Sequence, residues 1–305
     1  MSIQFADQRF LILGAGVTGS AVAHALKSRG GRATIADDNA SEAIKPENVD
    51  LANFDAAVIS PGWRQDHPLV KKVLASKLPI LNEIDLAWQI RTEVSPGQKW
   101  LALTGTNGKT TTVEMAAKIL QTAGLKAVAC GNVGDTVIEA VDRKDPYDYL
   151  VLELSSFQLH WAKQAQFVSA AILNIADDHL DWHGTFDAYA DAKFSILDRA
   201  EVAVLNADDQ EVVARANRFT GRKVFFSLDT PAPGEIGVVE ELLVDRAFVT
   251  DPMEAAMICE LKDITPPCPT MFLTRLQQLP LLGQWASHTK TSKRVCKSSS
   301  PDVTE

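Results

Sequence analysis

The sequence is poor in the features that mark several protein classes. Cysteine occurs only four times, at Cys130, Cys259, Cys268 and Cys296, with no paired spacing. That argues against a disulfide framework and fits a reducing compartment. No uninterrupted apolar run reaches the ~18 residues of a membrane-spanning helix. The first residues, MSIQFADQRF, lack the basic-then-apolar build of a signal peptide. Positive charge is scarce, with 30 Lys and Arg against 39 Asp and Glu, a formal net charge of -9. Such a balance disfavours nucleic acid or an anionic membrane as partner. What is abundant is apolar: 46% of the 305 residues are hydrophobic and 23% are charged, which suits two folded domains and not a disordered chain. A soluble, cytoplasmic protein is expected.

Along the chain, short β-rich runs alternate with helical patterns, the grammar of parallel sheets covered by helices. Residues 10–13 (FLIL), 33–36 and 56–60 read as strands, and 20–29, 70–77 and 84–91 as helices. The polar stretch RTEVSPGQK at 91–99 reads as a linker. A second series follows, with strands at 100–104, 149–154, 170–174 and 202–206 and helices at 110–123 and 186–200. Between 223 and 250, short strands and turns suggest an antiparallel meander. The fold class expected is α/β: a Rossmann-like parallel-sheet domain over residues 1–91, then a P-loop ATPase-type domain over 92–267.

The sharpest chemical signal is Leu103-Thr104-Gly105-Thr106-Asn107-Gly108-Lys109-Thr110-Thr111, between a strand and a helix. Glycines let backbone N–H groups curl around phosphate oxygens, and the helix N-terminus adds its positive end. Gly105, Thr106, Asn107, Gly108, Lys109, Thr110 and Thr111 are therefore the candidate ATP-binding residues. Lys109 has the reach for the β- and γ-phosphates, and the Thr110 hydroxyl is a candidate Mg²⁺ ligand. A strict P-loop has glycine where Leu103 stands. Glu153, at the end of a strand, is the carboxylate best placed to serve Mg²⁺; an N-cap or structural acid is its other reading. His179 and His183 sit four apart, as zinc ligands often do, but no Cys or Glu set completes a zinc site and a phosphate loop calls for Mg²⁺.

In the N-terminal part, Gly14-Ala15-Gly16-Val17-Thr18-Gly19 follows a strand, opens a helix, and is followed by Asp37 near the end of the next strand. Alone, this is a dinucleotide fingerprint and suggests an NAD(P)-dependent oxidoreductase. A purely regulatory nucleotide-binding module is another possible class.

Further segments carry a resemblance. TGTNGKTT (104–111) is similar to the loop shared by Mur ligases and folylpolyglutamate synthases. Gly131-Asn132-Val133-Gly134 resembles the Mur ligase GN-[IV]-G loop, and residues 172–181 (ILNIADDHLD) its LN-x-x-x-DH-x-D segment. Tyr189-Ala190-Asp191-Ala192-Lys193 resembles its Y-x-x-AK helix, and ELSSFQL (153–159) the segment of its D-glutamate-adding branch. The resemblance covers residues 10 to about 267. It implies an ATP-dependent amide ligase of peptidoglycan precursor synthesis that works as a monomer. Such a ligase joins D-glutamate to UDP-N-acetylmuramoyl-L-alanine through an acyl phosphate. It further implies Lys109, His179 and Lys193 as catalytic residues and two Mg²⁺ ions held by Thr110, Glu153, His179 and Lys193. The lysine would be carbamylated by CO₂, although by its residues alone it reads as a solvated helix lysine. His183 reads as a surface or packing histidine. In such ligases the first glycine-rich turn binds the UDP end of the precursor. That implies Val17, Thr18, Asp37 and Ser60 as substrate contacts, with Asn132 and Ser155 at the muramoyl-alanine end and residues 82–85 (NEID) closing the pocket. The family pattern has Thr-Arg after the aspartate, whereas this chain has Asp38-Asn39.

The last stretch departs from the family. Residues 268–305 carry five Lys and Arg against two Asp and Glu, with no amphipathic period, where the family has a third domain opening on HN-x-x-N-ALAA. Read from the third base of the Pro269 codon with permitted synonymous codons, the tail yields HN-x-x-N-ALAA and ends near the family's HR motif. The expectation is a frameshift near Cys268, a missing third domain and a disordered tail.

Overall fold

A computed structural model describes residues 5–251 and 253–263. The expectations for residues 268–305 lie outside them. In chain order the elements are β1 (Arg9–Leu13), α1 (Val17–Ser28), β2 (Arg32–Ala36), β3 (Ala56–Ile59), α2 (Pro68–Leu74), β4 (Ile80–Leu81) and α3 (Glu83–Val94). Next come β5 (Lys99–Thr104), α4 (Lys109–Thr122), β6 (Ala127–Gly131), α5 (Val137–Val141), β7 (Tyr149–Glu153), α6 (Ser156–Trp161) and β8 (Phe167–Ile172). They are followed by α7 (Leu180–His183), α8 (Phe186–Phe194), β9 (Ala200–Asn206), α9 (Gln210–Arg215), β10 (Arg222–Phe226), β11 (Glu235–Val239), β12 (Leu242–Asp245) and β13 (Ala256–Glu260).

The contacts divide the chain into two units. Of the described residues, one holds those up to Gly97 together with Gly134–Pro146 and Ser156–Ala165; the other holds Gln98–Val133, Tyr147–Ser155 and those from Gln166 on. Helix α3 runs to Val94, across the expected division at 91 and 92. Helices α5 and α6 belong to the first unit although their sequence lies among the strands of the second.

The first unit is a parallel sheet in the order β2-β1-β3-β4. Phe10 to Leu13 of β1 are fully buried, as expected of a central strand covered on both faces. The order reverses direction between β1 and β3, so the turns after these strands flank the switch point where open α/β sheets bind ligands. Gly19 is required where α1 crosses β1, because a β-carbon there would lie 1.9 Å from the Gly14 carbonyl oxygen.

The second unit is a nine-stranded sheet, β13-β12-β11-β10-β9-β8-β5-β7-β6. All pairings from β6 through β11 are parallel, and β11-β12-β13 are antiparallel. The expected antiparallel meander holds for β11 and β12 and fails for β10, which pairs parallel with both β9 and β11; α9 carries the chain from β9 to β10 as a crossover. The helix expected over 186–200 ends at Phe194, and Ala200 already opens β9. Helix α4 packs Val113, Ala116, Ala117 and Leu120, residues at helical spacing, into a core that includes Leu101, Leu103, Val151 and Leu173. At roughly 1.5–3 kcal/mol for each fully buried Leu or Val, this packing outweighs the modest helix propensity of its four-residue Lys-Thr-Thr-Thr start.

Candidate functional site

Register fixes the site of the second unit. Leu103 of β5 stands beside Glu153 of β7, and Glu153 beside Gly131 of β6, so three strands end in one row. The phosphate loop leaves this row after Thr104. Gly108 takes a left-handed φ of 80° as N-cap of α4, a conformation that favours glycine. The loop is braced from the opposite side. Asn174 accepts the Thr106 amide (3.0 Å) and the Asn107 amide (2.8 Å) on its side-chain oxygen and donates to the Asn107 carbonyl (3.0 Å). The Thr106 hydroxyl meets the Tyr189 hydroxyl at 3.0 Å. Neither Asn174 nor Tyr189 figured among the expected site residues. Both stand inside the quoted motifs, and only their tertiary contacts show what they do.

Glu153 is 2% exposed. The Thr110 hydroxyl donates to its Oε2 (2.7 Å) and the Asn132 amide to its Oε1 (2.8 Å). Asn132 is held twice, since its backbone amide donates to the Glu153 carbonyl (2.9 Å). Thr110, Asn132 and Glu153 are thus brought together. Both partners of the carboxylate are neutral donors, and among the described residues no cation pairs with it. Lys109 folds back and donates to the Thr106 carbonyl (2.9 Å).

Lys193 contradicts its reading as a solvated helix lysine: it is 2% exposed. Its amine donates to the Gly105 carbonyl (2.7 Å) and the Thr104 hydroxyl (3.3 Å) and lies 4.9 Å over the Tyr189 ring. Burial, with repulsion from Lys109, pushes it down to about 7, against the opposing pull of Asp178 and Glu153. His179 takes a left-handed backbone, φ 51°, at the start of α7. Its Nε2 lies 3.3 Å from the Asp178 carboxylate and its ring 6.5 Å from that of Tyr189. His183 packs against the same tyrosine, 5.5 Å between centroids. Ser155 follows directly on the Glu153 row and is half-buried.

Among the described residues, no three His, Cys, Asp or Glu side chains cluster as a metal cage. Mg²⁺ does not ask for one: it keeps several waters and takes one or two carboxylates plus phosphate oxygens. A buried carboxylate with no cation in direct contact among the described residues, hydrogen-bonded to the threonine of a phosphate loop, fits that demand.

In the first unit, Val17 is 76% exposed at the start of α1 and Thr18 is half-buried beside it. Ser60 lies close under Gly14, its Oγ 2.9 Å from where a β-carbon would stand. Asp37 is occupied. Its carboxylate accepts the amides of Ala15 (2.9 Å), Asn39 (2.8 Å) and Ala40 (3.0 Å), which hold it below the usual carboxylate range, Ala15 foremost. It organises the two turns, so its oxygens are not left over for a ribose hydroxyl as in a dinucleotide site. A cavity of about 670 Å³ opens at Gly16 and Val17, walled by Ser20 and His24 of α1 and by Ile138, Glu139 and Asp142.

Cys130 and Cys259 are buried, and among the described residues no helix is long and apolar enough to cross a membrane. Residues 103–255 match the family model for the Mur ligase middle domain. The chain is 40% identical over 289 residues to the UDP-N-acetylmuramoylalanine--D-glutamate ligase of Thermobifida fusca, covering 88% of this chain and 62% of that one. It is 43% identical over 256 residues to the protein of the same name from Mycolicibacterium vanbaalenii, covering 79% and 52%. It therefore spans less than two thirds of the length of these relatives. Among solved structures, the UDP-N-acetylmuramate:L-alanyl-gamma-D-glutamyl-meso-diaminopimelate ligase of Neisseria meningitides shares the fold. The TM-score is 0.62 at 15% identity, over 97% of this chain and 99% of that one. None of this supports the oxidoreductase reading, and with the phosphate loop, the Glu153 row and the middle-domain match in place, the chain belongs to the Mur ligase family.

Proposed function

We propose that this chain is the precursor- and ATP-binding part of a ligase that joins D-glutamate to UDP-N-acetylmuramoyl-L-alanine. The observation that carries the reading is the hydrogen-bonded set Thr110–Glu153–Asn132 at the mouth of the phosphate loop. It links the nucleotide loop to the GN-[IV]-G loop and the ELSS segment. In the proposed reaction the precursor carboxylate attacks the γ-phosphorus of ATP, ADP leaves, and an acyl phosphate forms. The D-glutamate amine then attacks the acyl carbon, phosphate leaves, and the surplus amine proton passes to solvent. Phosphoryl transfer depends on positioning and charge neutralisation more than on covalent help.

Lys109 would turn from the Thr106 carbonyl to the β- and γ-phosphates, where its charge is needed. Residues Gly105 to Thr111 would cradle the phosphates with backbone N–H groups. Thr110 and Glu153 would hold one Mg²⁺, and His179 and Lys193 a second. When bound, the metal supplies charge neutralisation at the transferring phosphoryl group. A protonated lysine cannot serve there. An amine held near 7 is largely neutral at pH 8, so its nitrogen can bond to the carbon of CO₂ and release one proton, leaving a carbamate anion. The buried position of Lys193 is what makes that amine available. In the first unit, Val17, Thr18 and Ser60 line the turns at the switch point and would take the UDP end, with Asp37 shaping those turns. Asn132 and Ser155 would meet the muramoyl-alanine end. The reading takes the chain as a cytoplasmic monomer without nucleic-acid or membrane partners, in keeping with a net charge of -9.

The test is thermal. A ligand that binds only the native state raises its melting temperature. UDP-N-acetylmuramoyl-L-alanine and Mg-ATP should each do so, and NADH should not. Stabilisation by NADH with none by the UDP compound would overturn the reading.

A further inference from the structure

Glu83 and Asp85 open helix α3, where acids ordinarily face solvent and complement the helix N-terminus. Here both are 2% exposed. Among the described residues neither pairs with a cation. Their oxygens serve the backbone of segments far away in sequence. Glu83 Oε1 accepts the Ile138 amide (2.7 Å). Asp85 accepts the amides of Lys163 (2.8 Å), Gln164 (2.8 Å) and Ala165 (3.1 Å). Asn82 completes the set by donating to the Trp161 carbonyl (2.8 Å).

A buried carboxylate without a cation is costly, and apolar packing would hold two helices together more cheaply. Directional hydrogen bonds give something packing does not, a fixed position along and around the helix axis. The segment Glu83 fixes is the start of α5, and α5 is one wall of the cavity that opens at Gly16 and Val17. Ile138 is at once the residue whose amide Glu83 receives and a lining residue. The other end of α5 is also pinned: Arg29, beyond the end of α1, makes a bidentate pair with Asp142 (2.6 and 2.8 Å). The wall is therefore fixed at both ends, by a charge pair near the surface and by a buried carboxyl inside. The start of α5 follows closely in the chain on the Gly131–Gly134 loop, and residues 163–165 follow α6, which begins right after Ser155. Burial, partly offset by the amides of Ile138 and Val137, pushes Glu83 up to about 7, which reflects how fully it has been removed from water.

We infer that Glu83 is a positioning residue for precursor binding, which sets the α5 wall beside Gly16 and Val17 by its hydrogen bond to the Ile138 amide. The inference rests on the reading that the first unit holds the UDP precursor. Two variants separate reach from charge. Glu83→Gln keeps an acceptor at the same distance. Glu83→Asp keeps the charge but is one methylene too short. Calorimetry on the 305-residue chain, with UDP-N-acetylmuramoyl-L-alanine and with Mg-ATP, should show Glu83→Gln within about threefold of wild type for the precursor. Glu83→Asp should bind it at least about tenfold more weakly, since a buried amide then lacks its acceptor. Mg-ATP affinity should be unchanged in both. A residue that only stabilises the fold would lower the melting temperature of Glu83→Asp and leave the precursor affinity of the folded protein intact; that result, or equal loss in both variants, overturns the inference. Failure of the wild-type chain to bind the precursor at all would instead overturn the reading on which it rests.

Discussion

The Thr110 hydroxyl donates to the Glu153 carboxylate across 2.7 Å, tying the phosphate loop to the end of β7. Glu153→Gln keeps the volume and an acceptor but removes the charge. Affinity for Mg-ATP should fall at least about tenfold, the lower end of the range for a charge-assisted contact. Affinity for ATP without Mg²⁺ should hold or improve, because one negative charge near the phosphates is gone. Calorimetric titrations with and without the metal check this. An equal effect in both would show that Glu153 shapes the loop and does not serve the ion.

Lys109 donates to the Thr106 carbonyl and has the length to turn toward phosphate. Lys109→Met keeps most of the stem. It should weaken ATP by roughly 10- to 100-fold, the range for losing one charged hydrogen bond, and leave AMP affinity unchanged, since the loop lysine reaches only the β- and γ-phosphates. Competition of both nucleotides against a fluorescent ATP analogue reads the difference.

Lys109 and Thr110 were legible in the sequence because their geometry is local: strand, glycine loop and helix follow one another in nine residues. Glu153 could be read as an acid at a strand end, but its adjacency to Gly131 and to the loop comes from sheet order, which no local pattern shows. What could not be read is what tertiary contact decides. Helices α5 and α6 have five and six residues, too few for a period to show, and α5 is held by Glu83 from 55 positions away. Nothing local marks β10 as parallel, because that depends on α9 crossing over. Lys193 reads as solvated in an amphipathic pattern that is itself weak; its burial follows from how α8 lies against Gly105.

Lys193 yields a test independent of activity. Its amine is pushed down to about 7, so it is mostly protonated at pH 6 and mostly neutral at pH 8. Only the neutral amine reacts with CO₂. In ¹³C-bicarbonate, a protein-bound carbamate carbon signal should therefore grow as pH rises through 7. It should be missing from Lys193→Arg, whose guanidinium stays charged throughout. A signal of equal size in that variant would place the carbamate elsewhere, and no signal in the wild type at pH 8 would remove the carbamate from the proposed site.

Glu83 makes the stability of the first unit depend on pH in a direction opposite to that of most carboxylates. Its pKa is raised from 4.5 to about 7, chiefly by burial, with the Glu139 carboxylate of α5 adding repulsion and the Ile138 and Val137 amides opposing. Asp85, on its own helix, keeps its oxygens on the amides of residues 163–165. Between pH ~4.5 and ~7 the folded protein keeps a proton that the unfolded chain has released. The folded state then binds more protons, so unfolding free energy falls as pH rises across that window and levels off above it. A shift of this size corresponds to about 3 kcal/mol. Other groups titrate in the same range, so the quantity to measure is the difference between wild type and Glu83→Gln. Chemical denaturation at fixed pH values should show the two converging near pH 4.5. The glutamine variant should become the more stable by up to about 3 kcal/mol at pH 8, where it carries no buried charge. Parallel curves across the window would show that the carboxyl ionises at its ordinary pKa, with water reaching it in solution, and that its hydrogen bond to Ile138 is not a buried one.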